Sequence, residues 1–133
     1  MTKILGLAHV GIFVNDVQKS KEFYSTFLGT EAVWDCQFGG AENADFTVSI
    51  VQNGTAVLEL VQRKESDART DGVIDHIAFQ VDDLEGVMAD LAGKGIEFET
   101  DELVHEPAML KNGSKWIFFR GPDGEHIELA QAL

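Results

Sequence analysis

Four residues in this chain have the types and the spacing that divalent-metal chemistry asks for. His9 lies in LAHVGIFV and His76 in IDHIAFQV, while Glu59 lies in VLELVQ and Glu128 in HIELAQ. The histidines are 67 residues apart and the glutamates 69. That near-equality marks a duplicated module in which each copy brings one imidazole and one carboxylate. Two imidazoles and two carboxylates form a mixed nitrogen and oxygen donor set suited to Zn²⁺, Ni²⁺, Co²⁺, Fe²⁺ or Mn²⁺. On an octahedral ion, four protein ligands leave positions open for water or substrate oxygens. Such an ion polarises a carbonyl and stabilises an enolate, and a glutamate beside it can shuttle a proton. Taken singly, a strand histidine is more often structural and a strand glutamate more often faces solvent. Four coincidences at matched repeat positions favour the ligand reading, with Glu59 and Glu128 as candidate catalytic groups as well.

Strand geometry says how these side chains are presented. Side chains alternate between the two faces of a strand. His9 then shares a face with Leu7, Gly11 and Phe13, and His76 with Ile74, Ala78 and Gln80. Glu59 stands between Leu58 and Leu60, and Glu128 between Ile127 and Leu129, so each strand has one apolar face and one that carries a carboxylate. If the two modules curve toward each other, all four groups converge. Phe13 and Gln80 are candidate pocket residues on those faces. His126 shares the face of Glu128 and is either a substrate contact or a strand-start histidine near solvent. His105 reads as exposed, and no residue is assigned to an organic cofactor.

The elements that must position these groups follow an order repeated twice. A strand over about 4–14 ends at Asn15-Asp16, which offers an N-cap. Residues Val17–Leu28 carry apolar positions on one helical face, and Gly29 closes the helix. Strand-like runs follow at Glu31–Phe38, Asp45–Gln52 and Thr55–Gln62, broken by Gly39-Gly40 and by the hairpin signal Asn53-Gly54. RKESDARTDG, residues 63–72, reads as a linker between module 1–62 and module 73–133. The second module opens with a strand over 73–81, capped by Asp82-Asp83, and a helix over 84–94 ending at Gly95. A short strand at 96–99 precedes an irregular stretch, Asp101–Ser114. Strands Lys115–Arg120 and Glu125–Ala130 close it around the turn Gly121-Pro122-Asp123-Gly124. The fold class is α+β: two βαβββ modules forming a cupped, open-barrel sheet, in one domain over 1–133.

Composition narrows the partners. The net charge is −13 in 133 residues, which argues against nucleic acid, because phosphate contacts require Lys and Arg. No apolar run approaches the ~18–20 residues that span a bilayer, so no membrane partner is expected. The N-terminal MTKILGLAHVG reads as a strand rather than a signal peptide. The single cysteine, Cys36, rules out an intrachain disulfide and fits a cytoplasmic protein. Nothing in the sequence marks a base that would make Cys36 a nucleophile.

Three stretches, AHVGIFVNDVQKSKEFYSTFLG, IDHIAFQVDDLEGVMADLAGKG and FFRGPDGEHIEL, together resemble the vicinal oxygen chelate superfamily. That superfamily includes glyoxalase I, methylmalonyl-CoA epimerase, fosfomycin-resistance proteins, bleomycin-binding proteins and extradiol dioxygenases. The resemblance covers nearly the whole chain and implies paired βαβββ modules around a metal. It also implies a homodimer and a small-molecule substrate. In glyoxalase I the ligands are His, Glu, His and Glu on the matching strands, so His9, Glu59, His76 and Glu128 carry over as metal ligands. The implied activity is a metal-dependent lyase or isomerase reaction. It shifts a proton between adjacent carbons of an α-oxygenated carbonyl or thiohemiacetal through a metal-stabilised enediolate. The alternatives are a methylmalonyl-CoA epimerase-like enzyme and a binding or resistance module without catalysis. Two positions depart from the glutathione-using pattern. Phe13 stands where an arginine is expected, and Arg63 where an asparagine is expected, which points to a more apolar substrate or another thiol.

Overall fold

The structure is a computed structural model that describes residues 5–40, 43–64, 71–72 and 74–133, with side chains at all of these except 38–40 and 43–45. The chain divides into two compact units, residues 1–68 and 69–133. Among the described residues, each unit holds one open four-stranded sheet and one helix.

In the first unit the order is β1 (Val10–Val14), α1 (Val17–Leu28), β2 (Glu31–Gly40), β3 (Asn43–Asn53) and β4 (Ala56–Arg63). The sheet order is β1-β4-β3-β2. The β1–β4 pair is parallel and the others are antiparallel, so the sheet is mixed. In the second unit β5 (Ile77–Gln80), α2 (Leu84–Gly93), β6 (Val104–Glu106), β7 (Ser114–Arg120) and β8 (His126–Ala132) repeat the plan as β5-β8-β7-β6. Again the pair between first and last strand, β5–β8, is parallel. These are two open α+β sheets, not closed barrels.

Both helices start where the sequence places them. Asp16 takes extended backbone angles and its carboxylate accepts from the amides of Gln18 and Lys19 at 3.0 and 3.2 Å. Asp83 does the same for Gly86 at 3.1 Å. Gly29, at φ 66°, ends α1 in the left-handed region that a side chain would disfavour.

A second start signal is absent from the sequence reading. The amide of Val17, the first residue of α1, donates to Gln62 Oε1 at 2.8 Å, and that of Leu84, the first of α2, donates to Gln131 Oε1 at 2.9 Å. Gln62 and Gln131 each lie three residues beyond a candidate glutamate. An amide side chain from the last strand of each module therefore satisfies one of the orphan N–H groups at its helix start.

The helices cover one face of each sheet. Val14, Val17, Tyr24, Val51, Leu58 and Leu60 are buried in the first unit, and Leu84, Leu91, Ile117, Phe119, Ile127 and Leu129 in the second. Each large aliphatic side chain in such a layer contributes about 1.5–3 kcal/mol through burial.

Several expectations shift. The apolar runs at the module starts are not strands over their whole length: β1 begins at Val10 and β5 at Ile77, so His9 and His76 each lie one residue before a strand. The ladder with β4 starts at the Val10–Leu58 pair, and Leu7 and Ile74 are 86 and 85% exposed. Residues Ile4 and Val73 lie outside the described residues. The run 96–99 is not a strand. Its backbone meets β7 only at the Phe98–Phe119 bridge and at the Glu99 amide, which donates to the carbonyl of Phe118 at 2.9 Å. The edge strand forms later, at Val104–Glu106, within the stretch read as irregular. In the first hairpin Asn53 is still paired, with Ala56, and the turn residues are Gly54 and Thr55. Asn53 keeps its place because its side-chain amide donates to the carbonyl of Leu28 at 2.5 Å, at the end of α1. Strand β2 runs through Gly39-Gly40 rather than breaking there. Of the linker 63–72, residues 65–70 lie outside the described residues; Arg63 closes β4, and Asp71 is tied to Arg120.

Candidate metal centre

Each unit brings its own histidine and glutamate together. In the first, Gly11 of β1 sits opposite Glu59 of β4. With no side chain at Gly11, the Glu59 carboxylate has room beside β1: a Cβ there would lie 4.0 Å from Oε1. His9 Nε2 is 3.5 Å from Glu59 Oε2. In the second unit Ala78 sits opposite Glu128, and His76 Nε2 is 2.9 Å from Glu128 Oε2. The neighbours Leu58 and Leu60, or Ile127 and Leu129, are turned into the core under the helix. Alternation thus places both glutamates on the face away from the helix.

These separations suit a shared cation. Ligand atoms about 2.1 Å from one ion lie about 3.0 Å apart at right angles and about 3.4 Å apart in a tetrahedron. The two pairs, at 2.9 and 3.5 Å, fall at those values. The residues fit a divalent metal in donor type and in spacing, pair by pair.

The second half-site is more enclosed. The Glu128 side chain is 14% exposed, against 31% for Glu59. The other ring nitrogen of His76, Nδ1, lies 2.8 Å from Asp75 Oδ2. The ring thus stands between two carboxylates, Asp75 on the Nδ1 side and Glu128 on the Nε2 side, and a carboxylate can only accept. The hydrogen bond from His76 holds the Asp75 carboxyl below the usual carboxylate range, against the opposing effects of desolvation and of Asp71.

His126 completes the wall. Its side chain is 13% exposed, and its ring stacks on Phe118 at 4.4 Å. Its Nδ1 lies 3.3 Å from Asp75 Oδ2 and its Nε2 3.4 Å from Glu99 Oε1. Neither contact has hydrogen-bond geometry, and both nitrogens are buried without a hydrogen bond among the described residues. Both nitrogens therefore lie close to carboxylates without a directional bond to either. Glu99 also accepts from Arg120 Nε at 2.8 Å, and Arg120 grips Asp71. Asp71 and Glu99 push the guanidinium pKa up, and Arg120 pulls the Asp71 carboxyl down. Asp75, His76 and His126 form a compact group with ligand atoms within 4.8 Å of one another.

The remaining candidates are spread over the two open faces. Phe13 is half-exposed, and the Arg63 guanidinium sits over its ring at 4.4 Å. The two positions that depart from the glutathione-using pattern thus form a cation–π pair across β1 and β4. Gln80 is exposed at the end of β5, and His105 is exposed in β6. Cys36 is free and half-buried. No described helix is long and apolar enough to cross a membrane.

Sequence reasoning passed over Asp75, Gln62 and Gln131. The signal for Asp75 was its position next to His76. For the glutamines it was a repeat offset equal to that of the glutamates.

The chain is similar to known proteins over most of its length. The family model of the Glyoxalase/Bleomycin resistance protein/Dioxygenase superfamily matches residues 6–129. A probable lactoylglutathione lyase from Synechocystis sp. is 33% identical over 131 residues, covering 94% of each chain. Among solved structures, a glyoxalase family protein from Enterococcus faecalis superposes with a TM-score of 0.77 at 29% identity, covering 95% of this chain and 97% of that one. The fosfomycin resistance protein FosX from Listeria monocytogenes, solved with Mn(II) and sulfate, shares the fold at a TM-score of 0.72 and 17% identity, over 98% and 95% of the two chains.

Proposed function

From the premise that this chain belongs to the Glyoxalase/Bleomycin resistance protein/Dioxygenase superfamily, we propose that it is a divalent-metal-dependent lyase or isomerase of the glyoxalase I type. Its metal ligands are His9, Glu59, His76 and Glu128. The observation that carries this reading is the pair of His–Glu contacts, 3.5 and 2.9 Å, at equivalent positions of the two modules. The identity to a probable lactoylglutathione lyase supports it. A bound divalent cation would draw electron density from the oxygens of an α-oxygenated carbonyl or thiohemiacetal, lowering the cost of removing a proton from the adjacent carbon.

The chain's own groups supply the rest. Glu128, more enclosed than Glu59, takes that proton at a carboxylate oxygen and returns it to the neighbouring carbon. Glu59 is the second candidate for this shuttle. Phe13, with Arg63 stacked on it, offers an apolar surface backed by one positive charge. That pair selects a substrate less anionic than a glutathione adduct. Gln80 and His126 are pocket residues on the second module, and the protein acts in the cytoplasm as a homodimer.

The test is a turnover screen of metal-loaded protein against hemithioacetals made from several thiols, with methylmalonyl-CoA alongside. Turnover of a hemithioacetal is the expected result. Turnover of methylmalonyl-CoA alone would replace this reading with the epimerase one. Metal binding without turnover of either class would favour a binding or resistance role.

A further inference from the structure

We propose that Asp75 is a positioning residue that fixes the proton of His76 on Nδ1 and so commits Nε2 to the cation. The inference rests on the reading of His76 as a metal ligand and goes beyond it, because it explains which of the two ring nitrogens serves.

Three observations converge on Asp75. Its Oδ2 is 2.8 Å from His76 Nδ1, the shortest contact either nitrogen of that ring makes among those described. The opposite nitrogen, Nε2, faces Glu128 at 2.9 Å. The imidazole therefore stands between two carboxylates, and only one of its sides can be given to a metal. A histidine ligand gains both orientation and basicity when its second nitrogen donates to a carboxylate. Asp75 is placed to accept that proton, while Glu128 points to the side left for the ion.

Asp75 is itself held from behind. Asp75 lies two residues before β5, and His126 lies against its carboxylate. The His126 ring is fixed by its stack on Phe118, and its Nδ1 lies 3.3 Å from the same Oδ2 that meets His76. Phe118 also packs edge-on against the His76 ring at 5.3 Å. The far nitrogen of His126 is beside Glu99, which Arg120 holds. A line of close polar neighbours thus runs from Arg120 through Glu99 and His126 to Asp75.

The same residues admit a competing arrangement, in which Asp75, His76 and His126 themselves hold the ion. The two differ in where the His76 proton sits. If Asp75 positions, Nδ1 keeps its proton when metal binds. If Asp75 ligates together with His76 Nδ1, that proton is lost and Nε2 carries one instead.

The experiment is nitrogen-15 NMR of the His76 ring in the full chain, metal-free and Zn²⁺-loaded, with calorimetric Zn²⁺ titrations. The wild type is expected to show a slowly exchanging Nδ1 proton in both states and a metal-shifted Nε2 in the loaded one. Asp75→Ala is expected to lose the slow exchange in both states and to bind Zn²⁺ on the order of 10–100-fold more weakly. Asp75→Asn, whose Oδ1 still accepts, is expected to restore most of both. An Nδ1 signal and affinity unchanged in Asp75→Ala would overturn the proposal, as would a Zn²⁺-bound Nδ1 in the wild type. Wild-type protein that binds no Zn²⁺ but shows the Asp75-dependent Nδ1 proton would overturn the proposed function and leave the proton placement standing.

Discussion

Replacing Glu128 by glutamine separates the metal reading from the fold more cleanly than any other change. The substitution keeps the side chain's shape. It leaves Ile127 and Leu129, which anchor the strand in the core, untouched. The metal-free variant should therefore melt close to the wild type, within about 0.5–1 kcal/mol. Its response to metal should differ sharply. Removing a group that merely supports a ligand already weakens binding 10–100-fold, so trading a charged ligand for a neutral amide is set at about 100-fold. At metal held about 100 times above the wild-type Kd, binding adds about 2.7 kcal/mol to the wild type and about 0.4 kcal/mol to the variant. The difference, about 2.3 kcal/mol, corresponds to about 7–11 °C of metal-induced rise in Tm for a chain of this size. Paired thermal melts with and without Zn²⁺, Ni²⁺ or Mn²⁺ measure it without knowledge of the substrate. A variant that gains as much from metal as the wild type would refute the assignment of Glu128. If turnover is found, the same change should lower it by about 10²–10⁴, and full turnover would remove Glu128 from the proton shuttle.

Other expectations follow from particular contacts. Gln62→Leu strands the buried amide of Val17 and should cost about 1–3 kcal/mol in chemical denaturation. Gln131→Leu should do the same at Leu84, and a loss below measurement at both would show that water serves these helix starts equally well. Asp71 has its pKa lowered, chiefly by the hydrogen bond from Arg120. It therefore stabilises the fold above the unfolded carboxylate pKa, and this contribution is lost as the pH falls below about 4. Asp71→Asn should flatten the acid limb of a stability–pH curve, and a limb of unchanged steepness would contradict this. Phe13→Arg should raise the ratio of kcat/KM for a glutathione hemithioacetal over that for an uncharged thiol. A constant ratio would place Phe13 outside the substrate's reach.

Much of this arrangement was legible in the residues. Helix α1 occupies the predicted span because Asp16 and Gly29 bracket one apolar face. The glutamates alternate with core leucines and isoleucines, and a two-residue period leaves them one face only. What was missed depended on partners distant in sequence. The apolar residues before His9 read as strand, yet a strand needs a ladder, and β4 supplies one only from Leu58 onward. Residues 96–99 alternate well enough for a strand, but they meet β7, about 20 residues away, at one isolated bridge, Phe98–Phe119. The true edge strand, Val104–Glu106, is too short to stand out among charged neighbours. Asp75 looked like a neighbour of a histidine, and only the ring's orientation gives it a task.

The glutamine at each helix start has a consequence for the candidate glutamates. Gln62 and Glu59 belong to one strand and point to opposite faces. Gln62 is clasped to the first amide of α1. A slip of β4 by two residues would keep every side chain on its proper face and would carry Glu59 about 6.6 Å along the sheet. The clasp forbids that slip, since Gln62 would lose its helix. Gln131 guards Glu128 in the same way. The helix in each module thus acts as an alignment stop for the strand behind it, and loosening α1 or α2 would shift Glu59 or Glu128 relative to its histidine before it unfolded anything.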